Sequence, residues 1–241
     1  MKILITNDDG LHASQLVPLI RWAQKLGEVT TVVPKYEQSG KSHGIEIHKP
    51  FEVTHVELAP GIIAIAVDST PADCVRYAIL GMHEKFDLVI SGINKGLNMG
   101  RDIMYSGTVG AVLEAGNLGV QAIALSTEPK NYDHATEHLD RIWAFMQEHK
   151  LLQRSDLYNI NIPKDAGSIR ITRQGGPYYS DEFISLDNNM VSPHGIEVFV
   201  PCGNMEIDTD AVLCGKLISI MPLTLEKTDM QIFKDLQYLN N

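Results

Sequence analysis

The chain has 241 residues, 30 Asp and Glu against 20 Lys and Arg, and a formal net charge of −10. That balance, with no run of basic residues, excludes a protein built to grip a nucleic-acid polymer. Three scattered cysteines (Cys74, Cys202, Cys214) without a C-x-x-C pair exclude a disulfide framework or zinc ribbon. They fit a reducing, cytoplasmic setting.

Lys2-Ile3-Leu4-Ile5 reads as a buried strand that ends on Thr6-Asn7-Asp8-Asp9-Gly10. Two adjacent carboxylates therefore stand where a first strand meets its loop, the place where open α/β sheets bind ligands. Held together, they repel unless a positive charge lies between them, and Asp oxygens suit Mg²⁺ or Mn²⁺. Taken alone, Asn-Asp-Asp-Gly is equally good turn chemistry.

Leu16, Leu19, Ile20, Ala23 and Leu26 mark one helical face closed by Gly27, with Pro18 obscuring its start. Val29 to Val33 is a β-branched run before Pro34. A polar loop from Lys35 to Gly44 contains Ser39-Gly40-Lys41-Ser42. This is not a P-loop: Lys35 stands where that motif needs Gly, and Gly44-Ile45-Glu46-Ile47 reads as strand rather than helix. Ser39 nevertheless offers a hydroxyl at the same end of the sheet as Asp8.

Phe51-Glu52-Val53 alternates, and Ile62 to Val67 reads as a buried strand. Thr70-Pro71-Ala72-Asp73 has the cap, proline and acidic residue of a helix start. Leu88-Val89-Ile90 is a further strand, left by Ser91-Gly92-Ile93-Asn94 and a glycine-rich loop running from Gly92 to Gly107. Asn94 is a candidate neutral oxygen ligand. Ser106-Gly107-Thr108 opens a helix from Thr108 to Leu118 that Gly119 ends. A helix N-terminus with two hydroxyls is a natural anion cradle, although a plain Ser cap has the same appearance.

Val120 to Leu125 is the next strand, followed by one long helix from about Asp133 to His149. His134-Ala135-Thr136-Glu137-His138 matches H-x-x-E-H, but Ala135, Leu139, Ile142, Trp143 and Met146 form the buried stripe of that helix, which leaves both histidines on its flank. A zinc site there is set aside. Leu157 to Ile162 and Ile169 to Thr172 look like strands. Gly175 to Tyr179 is rich in turn residues, Ile196 to Val200 alternates, Ile218-Ser219-Ile220 is strand-like, and a helix closes the chain. The irregular stretch suits either an arm laid on a partner subunit or a hairpin folded on its own domain. Strands alternating with helices imply a mostly parallel sheet covered on both faces. No apolar run approaches the ~18 residues of a membrane span.

Together these segments resemble the SurE family, the survival protein E nucleotidases. The resemblance rests on residues 3–10, Gln38-Ser39-Gly40, residues 70–75, 87–94 and 105–111, with later echoes at Asn159-Ile160-Asn161-Ile162-Pro163 and residues 218–223. It departs from the family at Ser69, usually Gly, at Met221, usually Thr, and in one extra residue around Cys214 to Leu217. The resemblance implies a three-layer αβα fold with a Rossmann-like sheet and C-terminal extended arms, as one domain over 1–241 with a core at about 1–165 and 215–241 and an arm at about 166–214. It implies a homodimer or tetramer with exchanged arms. It implies hydrolysis of nucleoside 5′- or 3′-monophosphates, with one divalent cation held by Asp8, Asp9, Ser39 and Asn94. Asp8 and Asp9 would carry the catalysis, and Asn98, Ser106, Gly107 and Thr108 would hold the phosphate. The open alternatives are a non-catalytic nucleotide or metal sensor and a phosphoaspartate enzyme; the latter generally uses Asp-x-Asp, not adjacent carboxylates.

Overall fold

The structure is a computed structural model and describes residues 1–240. Eleven strands form a nine-stranded sheet and a separate hairpin. The large sheet begins with β1 (Lys2–Thr6), β2 (Glu28–Pro34), β3 (Val53–Ala59), β4 (Ile62–Val67) and β5 (Leu88–Lys95). It continues with β6 (Gln121–Thr127), β7 (Leu157–Ile162), β8 (Ile169–Ile171) and β11 (Ile218–Pro222). Its order is β3-β4-β2-β1-β5-β6-β7-β11-β8. The centre is parallel, and only the β3–β4 and β7–β11 pairs are antiparallel. The hairpin pairs β9 (Tyr179–Ser185) with β10 (Val191–Glu197).

Helices cover both faces, giving three layers. On one face α1 (Leu16–Ala23) and α5 (Leu139–Glu148) pack Leu16, Leu19, Ile20, Leu139, Ile142 and Met146 against Ile3, Ile5 and Ile90. On the other, α2 (Pro71–Arg76) and α3 (Gly107–Asn117) bury Cys74, Val75, Val109 and Val112 against Leu4 and Val89. The apolar faces alternate along β1 and β5 with period two, as buried central strands require.

Local signals set the starts of α2 and α3. Thr70 accepts the Asp73 N–H at 3.1 Å and Pro71 opens α2. Ser69 adds a bond, donating its hydroxyl to Asp73 Oδ2. Ser106 caps α3 by accepting the Val109 N–H. Pro18 lies at the third residue of α1, where no earlier helical carbonyl awaits an N–H. Gly27 lies beyond the end of α1: a Cβ there would fall 2.0 Å from the Met1 carbonyl oxygen, so close approach explains the glycine.

Four expectations are corrected. Residues 45–47 form no strand: Ile45 and Ile47 are exposed, and the Glu46 N–H is taken by Asp73 Oδ2. Alternation alone did not supply a neighbouring strand. The P-loop is still excluded, since no helix follows Ser42. The strand read as Leu88–Ile90 runs on to Lys95, and a 3₁₀ turn occupies Gly100–Tyr105, so the glycines of 92–107 are only partly loop. The helix expected from Asp133 to His149 breaks at His138 into α4 (Tyr132–Glu137) and α5. A short helix, α6 (Asp208–Leu213), was not anticipated.

The last α-helix of the described residues is α7 (Met230–Leu236), none of whose residues is buried, and a 3₁₀ turn over Gln237–Asn240 follows it. Within 166–214, β8 joins the large sheet while β9 and β10 stand apart, almost wholly exposed. No helix among the described residues is long and apolar enough to cross a membrane.

Candidate active site

Strands β1, β2, β5 and β6 all deliver their carboxyl ends to one edge of the sheet. Asp8 and Asp9 leave β1 there. Asn7 closes the turn beneath them, accepting the Gly10 N–H and donating to the Gly10 carbonyl, both at 3.1 Å. Gly10 is required: φ is +86°, and a Cβ would lie 2.9 Å from the Tyr36 carbonyl carbon. The loop after β2 is tied to this turn, because the Gln38 N–H donates to the Asp8 carbonyl at 2.7 Å.

Asp8 is only 4% exposed. Its carboxylate accepts from the Thr108 hydroxyl at 2.6 Å and from the Thr108 N–H at 3.0 Å. A carboxylate at a helix N-terminus is favoured by the dipole and by the N–H groups the first turn leaves without helical partners. Gly107 makes the approach possible: a Cβ would meet Asp8 Cβ at 3.0 Å and Oδ2 at 3.1 Å. Burial nonetheless raises the Asp8 pKa, against the lowering effect of Thr108.

Asp9 Oδ2 accepts from Gln15 Nε2 at 2.6 Å and from the Lys95 N–H at 2.9 Å. Its pKa is pushed up to about 6, by burial first and then by the charge of Asp8, with Glu37 adding to it. Two carboxylates are thus held against their mutual repulsion by a scaffold of donors. β5 supplies one of these donors through a bulge: Ser91 pairs with Ala124, and the next pairing is Asn94 with Ser126, so β5 carries one residue more than β6. The bulge brings Asn94 and the Lys95 N–H to the Asp9 side of the edge. Asn94 Nδ2 donates to the Gly96 carbonyl at 2.8 Å.

Ser39 is exposed on the loop after β2 and donates to Glu37 Oε1 at 2.7 Å. Glu37 itself acts electrostatically on both Asp8 and Asp9. This third carboxylate lies two residues before Ser39, and no motif in the sequence marks it. Tyr132, at the start of α4, also faces this cluster: burial, then Asp9 and Glu37, push its phenol up to about 12.

Of the residues expected to meet a phosphate, Ser106 and Gly107 lie at the start of α3. Thr108 directs both its N–H and its hydroxyl at Asp8, rather than standing free for an anion. Asn98 is buried and closely clamped. Its N–H donates to Asn161 Oδ1 at 2.8 Å, and its carbonyl accepts from Asn159 and Asn161 at 2.8 and 2.7 Å. Its side-chain Nδ2 donates to Ser126 Oγ at 2.8 Å. The two histidines set aside as a zinc site lie on α4 and at its end, with their Nε2 atoms 3.1 Å apart. Among the described residues no three His, Cys, Asp or Glu side chains converge as a cation site. A cation at the acidic edge would therefore need neutral oxygens beside the two carboxylates.

A family model described as Survival protein SurE matches residues 3–181. The chain belongs to the SurE family. It is 37% identical to the 5′-nucleotidase SurE of Herpetosiphon aurantiacus, covering 95% of this chain and 94% of that one. It is 36% identical to the 5′-nucleotidase SurE of Caldanaerobacter subterraneus subsp. tengcongensis, covering 98% and 96%. Among solved structures it resembles the SurE protein of Aquifex aeolicus, with a TM-score of 0.79, 26% identity and full coverage of both chains. This SurE-family chain has its acidic edge and the start of α3 inside the segment that the family model spans.

Proposed function

We propose that this chain is a metal-dependent nucleotidase that hydrolyses nucleoside 5′- or 3′-monophosphates to nucleoside and phosphate. The observation that carries the reading is the pair Asp8 and Asp9, kept adjacent and half to fully buried although burial raises both pKa values, with the charge of Asp8 adding to the rise at Asp9 and that of Glu37 at both. Such an arrangement is costly without a cation, and perturbed carboxylates at a sheet edge mark a working site. The donor set fits Mg²⁺ or Mn²⁺: two carboxylates, the Ser39 hydroxyl and the Asn94 carboxamide oxygen are all hard ligands. Asn94 donates through Nδ2 to Gly96, which orients its oxygen end away from that contact.

A divalent cation there supplies Lewis-acid polarisation of a phosphoryl oxygen and lowers the pKa of an attacking water. The protein's own groups do the rest. Ser106 Oγ accepts from Val109 N–H and keeps its hydroxyl proton for a phosphate oxygen. The Gly107 N–H, at the first position of α3, is among those a helix leaves without a helical acceptor and stabilises negative charge as an oxyanion donor does. Asn98 has one amide hydrogen beyond the bond to Ser126. Thr108 acts through Asp8, which it orients. We assign the core to about 1–165 and 215–241 and the arm to about 166–214, with a homodimer or tetramer as the assembly and the cytoplasm as the setting.

The experiment is phosphate release from AMP and GMP with added Mg²⁺ or Mn²⁺. Release should stop in excess chelator and return when the cation is restored. Full turnover in chelator would remove the cation from the mechanism. Binding of nucleotide without release, across several metals, would make the chain a sensor, and a hydroxylamine-labile phosphoenzyme would favour a phosphoaspartate route.

A second test reads Thr108. Thr108→Val deletes a hydrogen bond to a buried carboxylate, a contact of about 1.5–3 kcal/mol. Mn²⁺ affinity measured by calorimetry should fall by up to about 10- to 100-fold at pH 7, the range that contact corresponds to. Thr108→Ser, which keeps the hydroxyl, should stay near wild type. Equal affinities for all three proteins would separate Thr108 from the metal site.

A further inference from the structure

The loop from Asn98 to Ser106 reaches the acidic edge from one side and the root of the β9–β10 hairpin from the other. At the hairpin root the two backbones touch. Gly100 has φ +55°, and a Cβ on it would fall 2.0 Å from the Gly176 carbonyl oxygen. The Arg101 N–H donates to that same oxygen at 3.1 Å. Gln174 Nε2 donates to the Gly100 carbonyl at 3.0 Å.

The junction is built on one carboxylate. Asp208 is fully buried at the start of α6. Its Oδ2 accepts the Gly100 N–H, and its Oδ1 accepts the Gly175 and Thr209 N–H groups, all at 2.8 Å. Two segments distant in sequence, at Gly100 and Gly175, thus converge on a single side chain of a third. Asp210, two residues on, holds the returning limb of the arm instead: its Oδ1 accepts the Cys202 and Gly203 N–H groups at 2.8 and 2.7 Å. It makes no such contact to the 98–106 loop. A buried carboxylate with its lone pairs filled by N–H groups is a rigid fixture, whereas one left short of donors is destabilising.

We propose that Asp208 is a positioning residue for the nucleotidase reaction, fixing the 98–106 loop to the hairpin root so that Asn98 and Ser106 are presented to the substrate phosphate. The inference rests on the function proposed above. It also makes the hairpin root part of the site's scaffold, since Gly100 and Gly175 hang on opposite oxygens of one carboxylate.

Asp208→Asn is close to isosteric, but it replaces one acceptor oxygen by an NH₂ that must face an N–H. Either Gly100 or the Gly175–Thr209 pair is released. The purified full chain and its Asp208→Asn, Asp210→Asn and Gln174→Ala variants should be compared with AMP and Mn²⁺. Four readouts serve: kcat, KM, calorimetric affinity for Mn²⁺ and for AMP in the presence of Mn²⁺, and Tm. Misplacement of a positioning loop by about 1 Å costs up to ~100-fold in rate. Asp208→Asn should accordingly lose about 10- to 100-fold in kcat/KM and bind AMP more weakly, with Mn²⁺ affinity within about threefold of wild type. Asp210→Asn should lower Tm yet leave kcat/KM within about threefold, and Gln174→Ala should shift KM in the direction of Asp208→Asn by roughly two- to fivefold.

Equal losses of activity in Asp208→Asn and Asp210→Asn would show a purely structural role and overturn the proposal. So would an Asp208→Asn protein that binds AMP as tightly as wild type. Should Asp208→Asn fail to fold, an unchanged KM in Gln174→Ala overturns it. A wild type that binds AMP and releases no phosphate sinks the hydrolase reading alone, because the AMP affinities still decide the role of Asp208. A wild type that does neither overturns both.

Discussion

Asp9→Asn should lower AMP turnover roughly 100- to 1,000-fold and, in the same protein stripped of metal, raise stability at pH 8. The two effects have one cause. The carboxylate is where a divalent cation would be held, and a Lewis acid acting on phosphoryl oxygen takes several kcal/mol off the barrier, at about 1.4 kcal/mol per factor of ten. Without the cation, the same charge lies beside Asp8 and near Glu37 with too little solvent to disperse it. Asn keeps an oxygen for the Gln15 and Lys95 donors that now meet Asp9 Oδ2, so the scaffold survives while the repulsion goes.

The sign and the pH window follow from the shift. The Asp9 pKa rises from 3.8 to about 6 in the fold, so the folded state binds its proton more tightly than the unfolded chain does. Whatever stability this proton confers is complete below about pH 4 and is lost as pH rises through about 6. Unscreened, the shift would correspond to about 3 kcal/mol. Asp9 is only partly buried, and solvent screening reduces this to about 1–2 kcal/mol. Thermal melts in chelator should therefore give Asp9→Asn a Tm about 2–8 °C above wild type at pH 8, and no advantage at pH 4. A variant that melts with or below wild type at pH 8 would remove the electrostatic strain on which the metal reading rests. Asp8 and Asp9 titrate as a pair, so the midpoint measured belongs to both.

What could be read from the sequence was local. The apolar run before Asn7-Asp8-Asp9-Gly10 announced a strand delivering two carboxylates to a loop, and the loop is where they are. Thr70 and Ser106 were legible as caps because capping is settled within three residues of chain. What escaped depends on partners far along the chain. Thr108 bonds Asp8 across 100 residues. Nothing near Thr108 says that its donors are already engaged. Asp208 and Asp210 look like surface acids of a loop, and only the arrival of Gly100, Gly175, Cys202 and Gly203 makes them buried acceptors. Ile45 and Ile47 failed in the opposite sense. Their alternation had the form of a strand, yet the Glu46 N–H between them is taken by the Asp73 carboxylate rather than by a strand, and both face solvent.

Gly92 is the sharpest of these failures, because glycine reads as loop and here lies inside a strand. Its φ is +137°, a region that L side chains rarely adopt, and a Cβ would fall 2.3 Å from the Leu125 carbonyl oxygen on the neighbouring β6. The neighbour is backbone of a central strand and cannot swing aside. Gly92→Ala should therefore cost about 1–3 kcal/mol for the backbone conformation and as much again for the contact, lowering Tm by roughly 5–20 °C. Gly119→Ala is the comparison that separates the two contributions. Gly119 has φ +78° just past the end of α3, and nothing lies within 4 Å of its added Cβ. It should cost only the left-handed conformation, about 1–2 kcal/mol. A Gly92→Ala protein that melts with Gly119→Ala would mean that β5 and β6 can part freely at the bulge. They should not part freely, because the bulge sets Asn94 and the Lys95 N–H opposite Asp9. Whatever Gly92→Ala protein remains folded should also bind Mn²⁺ more weakly than Gly119→Ala does. Loss of stability without loss of metal affinity would place the bulge outside the site.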